Sequence, residues 1–465
     1  MAKLHHAVQL GLNACGVECC PHASYRRLVA VASYLHLPGN DDTPQSRVGQ
    51  LFLYNLAPFR SGLLGGDAGD GDSGGGAEGE GGDDDGGDNN GGGGGEEGGL
   101  GSGGAPTAAG WSFAPAAPAL DTQAIFELRW APAAYNTSTG PVLAQADAGG
   151  CLTLYAVDAN PDDDAADLGS QSAALREIAK LECGGGGLGM TTCVDWNPSS
   201  APGGGGGGGC SGDADVGDEC GGGGGLCDLA VCGADGGIRA VALRECGAMK
   251  VTCATATAHD LEAWAVAFAH PDCAASSHPG ALLFSGADDA AFKGWDLRAG
   301  LGHPVFVNRR AHAAGVTCVA PSPHNPHAVA TGSYDDRLRL WDVRQMARPV
   351  ETAAANCGGG VWRCRWHPTR RRLACAAMDG GAAVVGCTGA GAGDVGAPGD
   401  SGGSGELSDE EFFAGGGLRV LGSYQGHESI AYGADWGWQG GGAADVVVSC
   451  SFYDRGLHVW SPRVA

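Results

Sequence analysis

Basic residues are scarce in this chain: 27 Lys and Arg stand against 53 Asp and Glu in 465 residues, a formal net charge of −26. Nucleic-acid binding needs a basic face, and this balance supplies none. Long apolar runs are missing too. No stretch approaches the roughly 18 residues that cross a bilayer as a helix, so no membrane association is expected. The opening residues, M-A-K-L-H-H-A-V-Q-L, lack the uninterrupted apolar segment of a secretory signal. A cytoplasmic monomer is the expectation, with the nucleus as a second location. There is no G-x-S-x-G elbow, Walker loop or H-E-x-x-H helix, which removes the commonest hydrolase, NTPase and metalloprotease signatures. No cofactor and no metal is expected. The densest ligand cluster, Cys15, Cys19, Cys20 and His22, has a C-x3-C-C spacing that matches no standard zinc pattern and reads as strand. The 19 Cys are irregularly spaced and read as small buried hydrophobes.

Glycine is abundant, 87 residues, but unevenly placed. Residues 61–110, 203–225 and 389–416 hold much of it, with 11, 4 and 6 acidic residues and no Lys or Arg. They carry 21 of the negative charges, leaving about −5 for the rest of the chain. Such stretches cannot bury enough apolar surface to fold and read as disordered inserts. The first separates blade one from blade two of the repeat array described next, the second sits inside blade three and the third follows blade six.

Two near-copies of one pattern dominate what remains. Leu283–Arg298 reads L-F-S-G-A-D-D-A-A-F-K-G-W-D-L-R, and Val329–Arg344 reads V-A-T-G-S-Y-D-D-R-L-R-L-W-D-V-R. Their tryptophans, Trp295 and Trp341, are 46 residues apart, and each has an Asp six residues before it. Strand, acidic turn and strand ending in Trp-Asp, at a period of roughly 40–45 residues, is the signature of a β-propeller blade. A second pattern, alternating apolar residues ending near an aromatic and a Pro, marks innermost strands. It appears before Pro21, Pro132, Pro198, Pro271, Pro323 and Pro368, and without Pro at Trp436. The fold is therefore read as all-β, one seven-bladed WD-repeat propeller over residues 4–465. Closing the ring requires an outer strand for the last blade, and Leu4–Leu10 is left over for it. His312, Ser333, Asp335 and Trp341 read as a hydrogen-bonded frame inside a blade rather than as a triad.

Several segments resemble one family beyond the generic repeat. They are Ala258–Phe268 (A-H-D-L-E-A-W-A-V-A-F), Phe284–Arg298, Ser322–Asp336, Gly359–Pro368 (G-G-V-W-R-C-R-W-H-P), Tyr432–Trp438 (Y-G-A-D-W-x-W) and Cys450–Asp454 (C-S-F-Y-D). These are similar to the diphthine methyl ester hydrolases, named diphthine methyltransferases in some usage, over about Ala258–Trp460. Leu51–Tyr54 and Ala124–Trp130 extend the likeness more thinly. The resemblance implies a hydrolase that removes the methyl ester from over-methylated diphthine on translation elongation factor 2, before the final amidation to diphthamide. It implies a substrate with a quaternary ammonium beside the ester, and aromatic faces hold such a cation best. Trp264, Trp362, Tyr432 and Tyr453 lie in the family-like strings and are the substrate-binding candidates; taken singly, each reads equally as blade packing. Glu262 is the acid–base candidate, Arg363 with the Gly358–Gly360 backbone the oxyanion-donor candidate, and Ser451 with Cys450 the nucleophile candidate. An alternative reading is a non-catalytic adaptor. Trp295–Arg298 and Trp341–Arg344 are W-D-x-R endings, which look like the motif by which WD-repeat substrate receptors dock on the adaptor of a cullin-type ubiquitin ligase.

Overall fold

The computed structural model describes residues 2–39, 45–59, 110–159, 173–183, 189–199, 227–244, 247–273, 275, 278–388, 413, 417–437 and 445–463. The chain divides into two units, residues 1–57 with 111–465 and residues 58–110. The described strands form seven antiparallel sheets. Their innermost strands are Asn13–Cys19, Ile125–Trp130, Thr191–Trp196, Ala263–Phe268, Val316–Pro321, Arg363–Trp366 and Ala431–Trp436, the seven segments that the strand pattern marks. Four antiparallel strands bring the chain back to the end from which it started. Every innermost strand therefore enters the central channel from the same end, and neighbouring ones pack in ring order.

The ring closes as the leftover strand requires. Lys3–Gln9 pairs antiparallel with Gly456–Ser461, from Lys3 opposite Ser461 to Gln9 opposite Gly456. The first and last strands of the chain so share one sheet, and the outer edge of Gly456–Ser461 is covered. Two insert positions are corrected by the flanking strands. Ser46–Phe59 and Gly110–Pro115 are neighbours in blade one, so the first insert joins its third and fourth strands. Ala382–Thr388 pairs with Gly417–Tyr424 in blade six, so the third insert likewise lies within that blade. Blade strands are registered by their own pairing, and loop length between them costs little. The inserts, apart from Gly110 and Phe413, and Trp438 lie outside the described residues.

Blades are stitched to their neighbours through buried donors. Trp130, Trp196, Trp366 and Trp436 end their innermost strands, and each indole N–H donates to a carbonyl of the preceding blade: Glu18 (3.1 Å), Arg129 (3.1 Å), Ala320 (2.9 Å) and Arg365 (3.0 Å). Inside blade four, His259 Nδ1–H faces the Asp289 carboxylate (3.1 Å), so Nε2 accepts from Ser285 (2.8 Å), whose oxygen accepts from Trp295 Nε1 (2.9 Å). Blade seven repeats this with His427, Ser449 and Trp460. Blade five departs from the sequence expectation. The hydroxyl between His312 and Trp341 is Thr331, at 3.1 and 2.8 Å, whereas Ser333 donates to Ala314 O. Thr331 sits opposite Arg339 in the strand pair, on the face where Trp341 closes the blade. Arg339 donates to His312 Nδ1 (3.1 Å), which puts the imidazole proton on Nε2, the opposite tautomer from His259.

These histidines are buried neutral, which makes the fold acid-sensitive. Burial lowers His312 from 6.5 to about 4, aided by Arg339, and His427 to about 3, aided by His458. Between 6.5 and those values the unfolded chain binds protons that the folded chain refuses. Stability contributed by each therefore falls as pH falls through that window, by about 1.4 kcal/mol per pH unit per proton. Urea midpoints measured at pH 6.5, 5.5 and 4.5 are expected to drop more steeply for the native sequence than for His427→Gln. Parallel trends would remove His427 from the account.

Candidate active site

One structural device repeats at the same end of six of the seven innermost strands. Pairing with the second strand shifts register at the second or third residue: Ala14/Gly16, Ile125/Glu127, Thr191/Cys193, Ala263/Ala265, Val316/Cys318 and Ala431/Gly433. A bulge of this kind re-aims one side chain. The re-aimed residues are Cys15, Phe126, Thr192, Trp264, Thr317 and Tyr432, and Trp362 takes the equivalent place just before Arg363–Trp366. Small donors and aromatics alternate around the ring. Cys15 donates to Ile125 O (3.0 Å), Thr192 to Ala263 O and Thr317 to Val361 O. Each of these carbonyls belongs to the residue just before an aromatic of the next blade, so the small donors hold the backbone on which the aromatics stand.

The aromatics close a circuit. Tyr34 meets Phe126 (5.6 Å between ring centroids), Phe126 meets Trp264 (6.2 Å), Trp264 meets Trp362 (5.5 Å) and Trp362 meets Tyr432 (5.1 Å). Tyr432 meets Phe452 (4.9 Å), and Phe452 returns to Tyr34 (6.1 Å). Tyr334 leans on Trp362 from outside (5.8 Å), and Tyr453, 70% exposed, stands off Phe452 (5.0 Å). Three of the four sequence-predicted aromatics, Trp264, Trp362 and Tyr432, are thus in mutual contact, and Tyr453 is an outlying rim residue. Gly433 is required beside Tyr432: a Cβ there would lie 2.7 Å from Cys450 Sγ and 2.9 Å from Val17 N. That explains the Gly in Y-G-A-D-W.

Below the aromatics the channel is ionic. Glu127 is buried and receives Arg363 Nε and Arg365 Nη2, both at 2.7 Å, with Arg129 at 3.8 Å. Arg129 also faces Glu18 (3.6 Å) and Asp195 (3.7 Å). A small pocket opens here among Gly16, Phe126, Glu127, Arg363, Arg365 and Gly433. Burial alone would raise the Glu127 carboxyl, but Arg363, Arg129 and Arg365 outweigh it and hold it below the usual range. Burial dominates at Glu18, which rises to about 8 against Arg129 and Arg365.

The other sequence candidates fall in different places. Arg363 is not a surface residue beside a glycine turn. It is buried, its remaining N–H groups donate to the carbonyls of Trp362 (3.1 Å), Phe126 (3.1 Å) and Thr317 (3.4 Å), and its guanidinium lies over the Trp362 ring (4.9 Å). With every group committed, it positions the aromatic ring instead of offering a donor to an oxyanion. Ser451 and Cys450 are fully buried beneath Phe452, out of reach of a substrate at the mouth. Glu262 is half-buried at the mouth, two residues before Trp264. Its carbonyl accepts from the backbone N of Asp288 (2.9 Å). Asp288 is the mouth carboxylate that sequence reading passed over, because it stands beside Asp289, the member of the blade frame. Arg298 and Arg344 of the W-D-x-R endings are on the surface and fold back on Asp296 (2.6 Å) and Asp342 (2.5 Å). Among the described residues no group of His, Cys, Asp and Glu has the arrangement of a metal site.

The fold and its stitched blades define a WD-repeat β-propeller. The family model described as WD domain, G-beta repeat matches residues 303–342. A chain of the mitotic checkpoint complex superposes with a TM-score of 0.50 over 98% of this chain and 94% of its own, at 14% identity. Sqt1 from Chaetomium thermophilum does so with 0.50 over 100% and 85%, also at 14%; both likenesses are of fold. More particularly, the chain is a homologue of proteins named diphthine methyltransferase. It is 36% identical to the mouse protein over 182 residues, 39% of this chain and 31% of that one. It is 34% identical to the Dictyostelium discoideum homologue over 218 residues (44% and 51%) and 30% identical to the Saccharomyces cerevisiae protein over 226 (43% and 49%). The matches span about half or less of those relatives' length.

Proposed function

We propose that this chain hydrolyses the methyl ester of over-methylated diphthine on translation elongation factor 2, freeing the carboxylate for the amidation that completes diphthamide. The observation that carries the reading is the closed aromatic circuit at one mouth of the channel, on a chain homologous to proteins named diphthine methyltransferase. The substrate presents a quaternary ammonium next to an ester. It has no hydrogen-bond donors of its own on that nitrogen, so attraction comes from ring faces within about 6 Å and from nearby carboxylates. Trp264, Trp362, Tyr432 and Phe126 supply the faces, and Asp288 and Glu262 supply negative charge at the same mouth. Buried Arg363 and Glu127 hold the rings from below. Water must reach the ester, and the open mouth lets the modified side chain of a folded protein enter end-on while its protein stays outside. The same reading places the chain with its substrate in the cytoplasm.

The test is release of methanol from purified elongation factor 2 carrying methylated diphthine. One methanol per modified side chain, with loss of one methylene's mass from the factor, is expected. An authentic substrate that returns no methanol would exclude the reading.

A further inference from the structure

Resting on that hydrolase reading, we propose that Asp288 is the catalytic base that takes the proton from the attacking water, with the Trp264 indole N–H directed at its carboxylate.

The mouth holds several carboxylates, and those of the blade frames are already occupied. Asp289 is engaged by His259 (3.1 Å), Lys293 (3.9 Å) and Arg309 (3.5 Å). Asp335 is paired with Arg339 (2.9 Å), and Asp454 faces His427 (4.0 Å) while receiving the backbone N of Glu428 (2.8 Å) and Gly456 (3.1 Å). Asp288 and Glu262 have no ion pair among the described residues. Asp288 is the better held of the two. Its backbone N is tied to Glu262 O, and its carboxylate lies against Gly315: a Cβ on that glycine would sit 2.5 Å from Asp288 Oδ1 and 3.2 Å from Tyr334 Cδ2. The carboxylate is thereby confined between the Tyr334 ring and the Trp264 indole, on the edge of the aromatic circuit. Burial raises its pKa above 3.8, the Trp264 indole opposes the rise, and the charges of Glu262 and Asp289 add to it. A carboxylate whose pKa is raised accepts a proton more readily. Trp264 Nε1 is buried without a hydrogen bond of ordinary geometry, and the acceptor it is directed at is the Asp288 carboxylate, whose pKa it lowers. Buried donors in folded proteins nearly always have an acceptor, and here that acceptor is the confined carboxylate of the circuit.

The step balances. Water oxygen bonds to the ester carbonyl carbon as one of its protons moves to the Asp288 carboxylate, giving a tetrahedral oxyanion. That collapses with cleavage of the carbon–methoxy bond, and the leaving oxygen takes the proton back from Asp288 as methanol. The freed carboxylic acid ionises to solvent, so each turnover consumes one water and releases one methanol and one proton. While bound, the ammonium stabilises the Asp288 carboxylate, so the acid limb of kcat lies at lower pH than that of kcat/KM.

The experiment compares the native chain, Asp288→Asn and Glu262→Gln in the methanol assay, with urea midpoints to show that each variant is folded. Asp288→Asn is expected to lower kcat at least 100-fold, within the 10²–10⁴ range of a general base, with a smaller rise in KM from the lost negative charge and the acid limb abolished. Glu262→Gln is expected to move the acid limb of kcat/KM to lower pH by removing a neighbouring negative charge. A folded Asp288→Asn that turns over within about threefold of an active native chain overturns this assignment and leaves the hydrolase reading standing. A native chain without activity on authentic substrate overturns both.

Discussion

Trp264→Leu is expected to raise KM for methylated diphthine by about 10- to 30-fold, with Trp264→Phe retaining most of the affinity. The indole joins Phe126 at 6.2 Å to Trp362 at 5.5 Å, so its loss opens the aromatic circuit on both sides. A desolvated cation over a Trp face is worth about 2 kcal/mol, which is close to 30-fold. Leucine keeps apolar bulk at the bulge while removing the negative ring face, so a fall due to packing alone is separated from one due to the cation. Trp264 is only partly buried, so its replacement disturbs the core less than that of Trp362. Trp362 is more deeply buried and stacks on Arg363. The companion measurement is inhibition by tetramethylammonium, expected for the native chain and for Trp264→Phe and lost in Trp264→Leu. Equal KM values for the Leu and Phe variants would make Trp264 a packing residue.

The largest loss of stability is expected at Glu127. Its carboxylate is 3% exposed and is the shared partner of Arg363, Arg365 and Arg129. Glu127→Gln leaves two guanidinium groups facing each other in the channel with their common counter-charge gone. Removing one partner of a buried ion pair costs about 3–5 kcal/mol. The effect should spread to the site. Arg363 donates to Phe126 O and Trp362 O, so a displaced guanidinium loosens two members of the aromatic circuit. The prediction is a urea midpoint far below the native one and, in whatever fraction remains folded, weakened inhibition by tetramethylammonium. A midpoint within experimental scatter of native would show that Glu18, Asp195 and Asp435 neutralise the arginines without Glu127.

Much of this arrangement has a sequence signal. The Trp-Asp period, the seven strand endings and the spare N-terminal strand lead to a closed ring, because strand alternation and turn residues are local properties. The aromatic circuit is partly legible as well. Phe126, Trp362 and Tyr432 each stand four residues before the tryptophan that ends the innermost strand, and Trp264 stands four before Phe268. The same spacing picks out Phe126 as a fourth member of the set. Tyr34 lies within a second strand and Phe452 just after one, and neither shares that spacing. Only pairing across blades one, two and seven brings them into contact.

The charged residues show where sequence reading stops. Arg363 looks like a surface residue after a glycine turn. It is buried because its partner, Glu127, lies 236 positions away on the far side of the closure. Ser333 looks like the frame hydroxyl, and Thr331 fills that place because strand register, set by hydrogen bonding to Arg337–Asp342, turns it toward Trp341. Asp288 and Asp289 are adjacent and chemically identical in the sequence. One faces His259 inside the blade and the other faces Trp264 at the mouth. By itself, then, the sequence determined the repeat, the number of blades, the closure and the aromatic supply, all of which follow from short-range periodicity. The tertiary structure decided which carboxylates are paired and which one stands unpaired at the rings, because charge pairing depends on distance through space, and the ring closure joins residues hundreds of positions apart.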